Sequence, residues 1–196
     1  PSPRYLYNKG GMDLILATEK EKCALLKELG FNLNLAPVCD ITTDPGAFLY
    51  SRSLGQSPEI TSEFIRDTVR EMASNRIGSC LKHFPGYGNN VDTHTGIALD
   101  ERPYEQFSGE DFLPFEAGIT EGESTSAVLV NHNIVTCMDP DLPASLSPAV
   151  HKILREELNF DGVVMTDDLA MDAVAAYAED GAVAVMAIEA GNDLVL

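Results

Sequence analysis

The segment of residues 77–94, IGSCLKHFPGYGNNVDTH, joins an apolar run to a polar loop. Residues Ile77–Leu81 form the short apolar run that is typical of a buried strand. Lys82 and His83 follow at its end, and the proline and glycines of residues 85–90 are incompatible with a continuing strand or helix. The sequence therefore predicts a buried strand whose carboxyl end carries polar side chains directly before a loop.

Strands and helices are predicted to alternate along the rest of the chain. Helices are predicted at residues 12–29, 59–74, 112–119 and 149–158, with two shorter ones over 169–190, and strands at residues 31–37, 77–83, 127–130, 163–165 and 193–196. Residues 1–10 are predicted to be irregular. The strands are continuous apolar runs, which is typical of parallel strands covered on both faces. The fold class is therefore α/β, with about five parallel strands.

Most of the predicted strands end in polar residues. These ends are Asn34, Lys82-His83, Asn131-His132 and Thr166-Asp167-Asp168. Because the carboxyl ends of parallel strands converge on one face, these side chains are expected to form one site, as they do in α/β barrels. An open doubly wound sheet would also bind its ligand at the strand ends, but the sequence lacks the glycine-rich fingerprint of that fold. A closed barrel of eight strands would need more chain than this.

The loop after His83 ends in Asp92-Thr93-His94, which has the outline of a catalytic dyad. An Asp two residues before a His can accept the imidazole Nδ1–H and leave Nε2 for proton transfer. The alternative is a surface loop in which both side chains are merely solvated. So short a pattern does not separate the two interpretations.

The charge and the cysteines of the chain limit its partners. The 196 residues carry a formal net charge of -18, which nucleic acid and anionic membranes would repel, so a small neutral substrate fits better. Cys23, Cys39, Cys80 and Cys137 are widely separated, which favours reduced thiols over a disulfide framework or a zinc site. No apolar run has the length of a membrane span and no signal peptide is recognisable. We expect a cytoplasmic protein, or an exported one whose signal lies upstream.

Two motif blocks resemble family 3 glycoside hydrolases, in particular their bacterial β-N-acetylhexosaminidase branch. The first block is KHFPGYG at residues 82–88 with Asp92-Thr93-His94, and the second is GVVMTDDL at residues 162–169. Weaker matches are LAPVCD at residues 35–40 and RSLG at residues 52–55. The resemblance implies a (β/α)8 TIM-type barrel. It also implies retaining exo-hydrolysis of β-linked N-acetylglucosamine, from peptidoglycan-type or chitooligosaccharide fragments, without a cofactor.

The resemblance also implies roles for individual residues. Asp167 matches the nucleophile of the family, and His94 with Asp92 matches its acid/base dyad. The predicted sugar-binding residues are Lys82, His83, Arg52 and His132. A histidine suits proton transfer because its unperturbed pKa of ~6.5 lies near neutrality. Lys82 is expected to help keep Asp167 ionised, and Asp168 is expected to cap the following helix.

The resemblance covers only part of a barrel. Residues 1–196 match the catalytic barrel of the family without its first two strands and its last strand, so the sequence predicts a partial barrel. Tyr87 stands where this branch often has His, and Asn89-Asn90 replaces a more usual Asp-Thr type pair. The two open edges of an incomplete barrel are predicted sites of self-association.

Three alternative functions remain open from the sequence. A β-glucosidase or β-xylosidase of the same family is opposed by the Asp-x-His loop, because those relatives typically recruit a carboxylate acid/base from elsewhere. A non-catalytic carbohydrate-binding fragment is the second. The third, a metal-dependent hydrolase, would bind a divalent cation, although no two histidines have the helical spacing of a zinc pair. Its ligands would be His83, Asp92, His94 and His132.

Overall fold

A computed structural model describes residues 1–90, 96–119, 125–177 and 181–196. Its strands are β1 Leu33–Asn34, β2 Gly78–Phe84, β3 Leu99–Asp100, β4 Ala127–Val130, β5 Ile134–Val135 and β6 Val163–Thr166. Its α-helices are α1 Pro3–Glu28, α2 Pro58–Ser74, α3 Tyr104–Gln106, α4 Phe112–Ile119, α5 Pro148–Lys152 and α6 Ala182–Ala190. Two π-helical turns, Phe107–Asp111 and Ile153–Glu157, and two 3-10 turns, Ala144–Leu146 and Asp172–Tyr177, accompany them.

The main sheet is parallel and has the strand order β1-β2-β4-β6. Its central register pairs Leu81 with Val128, and Val128 with Val164. Beyond β6, Leu194 forms a single parallel bridge to Met165. The predicted parallel α/β architecture of a partial barrel is confirmed, and the strand predicted at residues 193–196 is reduced to this one bridge.

The side chains of the sheet pack on two faces. Leu81, Val128 and Val164 belong to the main core, which they share with residues of α2 and α4. Cys80 and Met165 lie in a smaller buried cluster with Ala127 and Leu129. Burial on both faces explains why these strands are continuous apolar runs rather than alternating ones.

A second parallel sheet joins β3 to β5, and the sequence did not predict it. Strands of two residues show no hydrophobic periodicity, so the pattern carries no signal for them. Asp100 of β3 is buried and pairs with Arg102, whose guanidinium also binds Asp111 and the carbonyl of Gly86. The small sheet is therefore tied to the glycine-rich loop that follows β2.

The first helix begins earlier than the sequence pattern predicts. Residues 1–10 are helical from Pro3, and the Ser2 side chain caps the helix. Proline suits the first turn, because the N–H that it lacks would have no helical partner there. Gly10 and Gly11 have non-helical dihedral angles, with Gly11 at a φ of 63°, so α1 consists of two helices joined at a kink. The irregular start was a wrong prediction, because the glycines mark a kink and not a helix start.

Apolar side chains are exposed near both edges of the main sheet. Phe31 and Leu35 flank β1, and Leu194 and Leu196 lie beyond β6, and all four are at least one-third exposed. Self-association through these edges stays a prediction. No helix within the described ranges is long and apolar enough to cross a membrane.

The cysteines are free thiols, as the sequence predicts. Cys23, Cys39 and Cys80 are buried, and Cys137 is exposed. Burial raises the pKa of the Cys39 thiol well above its ordinary value, so this residue behaves as an apolar core group.

Candidate active site

A cavity of about 150 Å³ lies at the carboxyl ends of β2 and β6. Its lining residues are Phe48, Arg52, Lys82, His83, Tyr87, Asp167 and Met171. Four residues that the sequence assigned to a site, Arg52, Lys82, His83 and Asp167, therefore lie around one space. They come from a loop after β1, from the end of β2 and from the end of β6.

Lys82 and His83 are consecutive, yet both line the cavity. Consecutive residues of a regular strand point to opposite faces of the sheet. The pairing of β2 with β4 shifts its register between Lys82 and Phe84, an irregularity of the kind that redirects side chains next to functional sites. The peptide bond between Lys82 and His83 is cis.

The imidazole of His83 is held by Asp40, a residue that the sequence did not assign to the site. Asp40 Oδ2 lies 2.6 Å from His83 Nδ1 and accepts a hydrogen bond from the His83 backbone N–H at 3.0 Å. Asp40 Oδ1 accepts a hydrogen bond from the Tyr87 backbone N–H at 2.7 Å. The Asp40 residue is only 2% exposed. His83 is thus bonded on its Nδ1 side, and its Nε2 has no hydrogen-bond partner among the described residues.

Two cationic side chains line the same cavity. Within the described part of the chain, Lys82 Nζ and the Arg52 guanidinium have neither a hydrogen-bond nor an ion-pair partner, although Arg52 lies 5.7 Å from the centroid of the Phe48 ring. Burial, and then the positive charge of Arg52, lower the pKa of Lys82, whereas the negative charges of Asp167 and Asp40 oppose the shift. Both cations therefore keep donors available for a ligand in the cavity.

Asp167 follows β6 directly, and its backbone N–H continues the pairing with β4 by donating to the Val130 carbonyl at 2.9 Å. Its carboxylate is partly exposed, and Oδ1 accepts a hydrogen bond from the Asp168 N–H at 3.0 Å. Oδ2 has no partner among the residues that the structure describes. Asp168 differs, because it is exposed and its Oδ1 accepts a hydrogen bond from the Ala170 N–H at 2.9 Å. This bond closes a local turn and does not cap a helix as predicted, since the next helical segment begins only at Asp172.

His132 lies apart from the cavity lining. It is fully buried, its Nδ1 lies 2.7 Å from Ser145 Oγ, and its Nε2 lies 2.9 Å from the carbonyl oxygen of Asp168. Both ring nitrogens are therefore engaged with protein atoms. The contact with the Asp168 carbonyl ties His132 to the turn that follows Asp167, and His132 is not among the residues that line the cavity.

The predicted dyad, Asp92 and His94, lies outside the described residues. The hypothesis of a divalent cation site needs both of them, together with His83 and His132. Among the described residues, no group of three or more His, Cys, Asp or Glu side chains is placed to hold a metal ion. Of the two described candidates, His83 bonds to Asp40 and His132 to Ser145 and Asp168.

The sequence missed Asp40, Phe48, Tyr87 and Met171 as residues that line or support the cavity. Asp40 offered a signal, because it ends the LAPVCD motif of residues 35–40, close to the strand predicted at residues 31–37, and the end of that strand belongs to the converging set. Phe48 and Met171 lie in irregular segments, where no periodicity indicates the direction of a side chain. The cavity thus combines a carboxylate with three groups that can still form hydrogen bonds, which suits a polyhydroxylated ligand.

Comparisons with known proteins agree on one family. The family model described as "Glycosyl hydrolase family 3 N terminal domain" matches residues 1–196, which confirms the resemblance found in the motifs. A protein named beta-hexosaminidase from Stenotrophomonas maltophilia (strain K279a) is 37% identical over 169 residues, covering 85% of this chain and 49% of the relative. The chain spans about half the length of the curated relatives that it matches.

Solved structures show the same similarity. A family 3 β-N-acetylglucosaminidase from Paenibacillus sp. str. FPU-7 superposes with a TM-score of 0.93 at 34% identity, covering 100% of this chain and 38% of that one. A β-N-acetylhexosaminidase from Beutenbergia cavernae DSM 12333 gives a TM-score of 0.87 at 28% identity, covering 100% of this chain and 60% of that one.

Proposed function

Because the chain belongs to glycosyl hydrolase family 3, as an N-terminal domain of that family, we propose that the protein is a retaining exo-β-N-acetylglucosaminidase. The proposed substrates carry a terminal β-linked N-acetylglucosamine, as peptidoglycan-type fragments and chitooligosaccharides do. The names of the relatives from Stenotrophomonas and Paenibacillus, a beta-hexosaminidase and a β-N-acetylglucosaminidase, support this choice of sugar over glucose or xylose.

One observation carries the proposal. The Asp167 carboxylate, with one oxygen unbonded among the described residues, shares a cavity with Lys82, Arg52 and His83, whose polar groups also remain available there. A sugar needs several hydrogen bonds to its hydroxyl groups, and its reacting carbon becomes positively charged in the transition state of hydrolysis. A carboxylate beside that carbon can stabilise the charge or form a bond to it.

The proposed mechanism has two steps. In the first, Asp167 Oδ2 attacks the anomeric carbon, the glycosidic C–O bond breaks, and the departing oxygen takes a proton from His94. In the second, His94 removes a proton from water, whose oxygen displaces Asp167 and releases the sugar with its original anomeric configuration. Asp92 is assigned to orient the imidazole of His94. The first step leaves His94 without the proton, as the second step needs, and the second step returns the proton to it.

The remaining groups are assigned to binding. The side chains of Lys82 and Arg52 can donate hydrogen bonds to sugar oxygens. His83 offers Nε2, the ring nitrogen that Asp40 does not engage. Correct placement of the sugar against Asp167 is the contribution of these three residues, and misplacement of the reacting atoms lowers the rate steeply.

The test is the hydrolysis of two aryl glycosides by the full-length protein. We expect kcat/KM for an aryl β-N-acetylglucosaminide to exceed that for the matching aryl β-glucoside by at least about tenfold, or about 1.4 kcal/mol. The Asp167→Ala variant, purified in the same way, supplies the blank. Faster hydrolysis of the glucoside would favour the β-glucosidase alternative, and hydrolysis of neither would favour a non-catalytic carbohydrate-binding function.

A chelator arm of the same assay addresses the metal-dependent alternative. We expect the rate to survive prolonged dialysis against EDTA, because the proposed steps use a carboxylate and an imidazole and need no cation. A loss of activity that added Zn²⁺ or Mg²⁺ restores would instead support a metal-dependent hydrolase.

A further inference from the structure

Asp40 is a buried carboxylate that lies within hydrogen-bond distance of three nitrogen atoms from one short segment of the chain. It accepts from the backbone N–H groups of His83 and Tyr87 at 3.0 and 2.7 Å, and it lies 2.6 Å from the ring Nδ1 of His83. Both carboxylate oxygens are used. The segment His83–Tyr87 therefore turns around Asp40, and the bend is closed by the Gly86 N–H, which donates to the His83 carbonyl at 2.9 Å.

Asp40 is itself held in place by the strand end that precedes it. Val38 forms a parallel bridge to Lys82, and the Cys39 N–H donates to the Lys82 carbonyl at 2.6 Å. Cys39 is buried at 1% exposure and Asp40 at 2%. A carboxylate with a fixed backbone and two fixed backbone donors has little freedom to follow a ring that rotates away.

The chemistry of a carboxylate decides which nitrogen of His83 carries the proton. An ionised carboxylate only accepts hydrogen bonds, so at 2.6 Å the Nδ1 atom must be the donor. In the neutral imidazole, Nε2 is then left with a free lone pair. His83 lines the cavity, and Nε2 lacks a hydrogen-bond partner among the described residues.

We propose that Asp40 is a positioning residue that fixes His83 in the Nδ1–H tautomer, so that Nε2 presents an acceptor to a hydroxyl group of the sugar. This inference rests on the proposed function for its catalytic consequence, whereas the tautomer itself does not depend on the activity. Lys82 and Arg52 supply donors to the same cavity, and His83 supplies the acceptor that they lack. A sugar hydroxyl, which donates and accepts, can bond to both kinds of group.

The first measurement is the tautomer of His83 in the full-length protein. Nitrogen-15 NMR of histidine-labelled protein distinguishes a protonated from an unprotonated ring nitrogen, and the His83→Gln variant assigns the signals. At a pH where the ring is neutral, we expect the proton on Nδ1 and an unprotonated Nε2. A proton on Nε2 would overturn the proposal, and this reading needs neither a variant of Asp40 nor any glycosidase activity.

The second measurement uses Asp40→Asn. The amide offers one acceptor oxygen and an NH2 donor, so it cannot accept from all three partners. We expect the Nδ1–H tautomer to be lost in favour of the Nε2–H form or a mixture, and kcat/KM to fall by up to about tenfold, because Nε2 then no longer accepts a hydrogen bond from the sugar. An unchanged tautomer, or an unchanged kcat/KM in an active enzyme, would contradict the proposal.

Asp139→Asn is the matched control. Asp139 also accepts from two backbone N–H groups, of Asp141 and Leu142, and from one side chain, the hydroxyl of Ser147 at 2.6 Å. It does not line the cavity. We expect Asp139→Asn to lose thermal stability while keeping the tautomer of His83 and kcat/KM. An equal loss of kcat/KM in Asp139→Asn and Asp40→Asn would mean that Asp40 has only a structural role. His132 signals in the same spectra provide an internal reference.

Discussion

The ends of β2 and β4 look alike in the sequence but differ in the structure. A polar residue is followed by a histidine in each, Lys82-His83 within the last residues of β2 and Asn131-His132 directly after β4. His83 lines a cavity with one ring nitrogen free of described partners, whereas His132 is fully buried with both nitrogens bonded. A histidine at a strand end is therefore available to a ligand only where its neighbours leave a nitrogen unengaged.

The two carboxylates after β6 differ in the same way, because Asp167 lines the cavity and Asp168 does not. This difference predicts the largest effect on kcat/KM. Asp167→Ala removes the proposed nucleophile, and we expect kcat/KM to fall by at least about 10³-fold, or about 4 kcal/mol of transition-state stabilisation. Asp168→Ala removes only a local hydrogen bond to the Ala170 N–H. Steady-state kinetics of the two variants should therefore differ widely, and similar losses would break the distinction.

Effects of intermediate size are expected at the two histidines. A change at His83 should lower activity, and a change at His132 should lower stability. We expect His83→Gln to lower kcat/KM about tenfold, because a hydrogen bond to the sugar is lost. His132→Gln should keep kcat/KM within about threefold but lower the free energy of unfolding by about 1–3 kcal/mol, since it disturbs buried partners. Kinetics and thermal denaturation on the same preparations check both. A stable but inactive His132→Gln protein would show that His132 acts on the ligand after all.

The smallest expected effect is a shift in the pH profile. Burial and the charge of Arg52 lower the pKa of Lys82, so its ammonium loses its proton at a lower pH than an ordinary lysine does. Activity that needs charged Lys82 therefore declines on the alkaline side. Arg52→Gln removes one cause and raises the pKa of Lys82. On an activated aryl glycoside, whose departure needs no proton from His94, the alkaline limb of kcat/KM should therefore move to higher pH.

Arg155→Gln is the control for this shift, because Arg155 pairs with Asp193 at 2.7 Å and does not line the cavity. Its alkaline limb should match that of the wild type. If the alkaline limb of Arg52→Gln lies at the same pH as in the wild type, or at a lower pH, then Lys82 does not set this limb.

The sequence located β2, β4 and β6 well, because these strands are largely buried. The strand predicted at residues 31–37 is reduced to β1 Leu33–Asn34, which is only half-buried. β4 was located to the residue, and β2 and β6 to within one residue at each end. Two-residue strands such as β3 and β5 carry too few side chains to form a pattern. The start of α1 was missed for a different reason, since Gly10 and Gly11 resemble a boundary in the sequence.

The site was predicted in part, and the missing part depends on pairings through space. Motifs identified the candidate residues at the ends of β2 and β6. They did not indicate that Asp40 would bond to His83, or that Ser145 would bond to His132, because each partner comes from a different segment of the chain. Which strand-end groups remain available to a ligand is a property of the packed structure.

The most direct test of the account is the identity of the residue that forms the covalent intermediate. A fluorinated N-acetylglucosaminyl fluoride should react with the full-length protein and accumulate as a glycosyl-enzyme, because fluorine destabilises the charged transition state of the second step while the fluoride leaving group sustains the first. Peptide mapping by mass spectrometry locates the sugar. We expect the label on Asp167, and a label on Asp168 or on any other residue would contradict its assignment as the nucleophile.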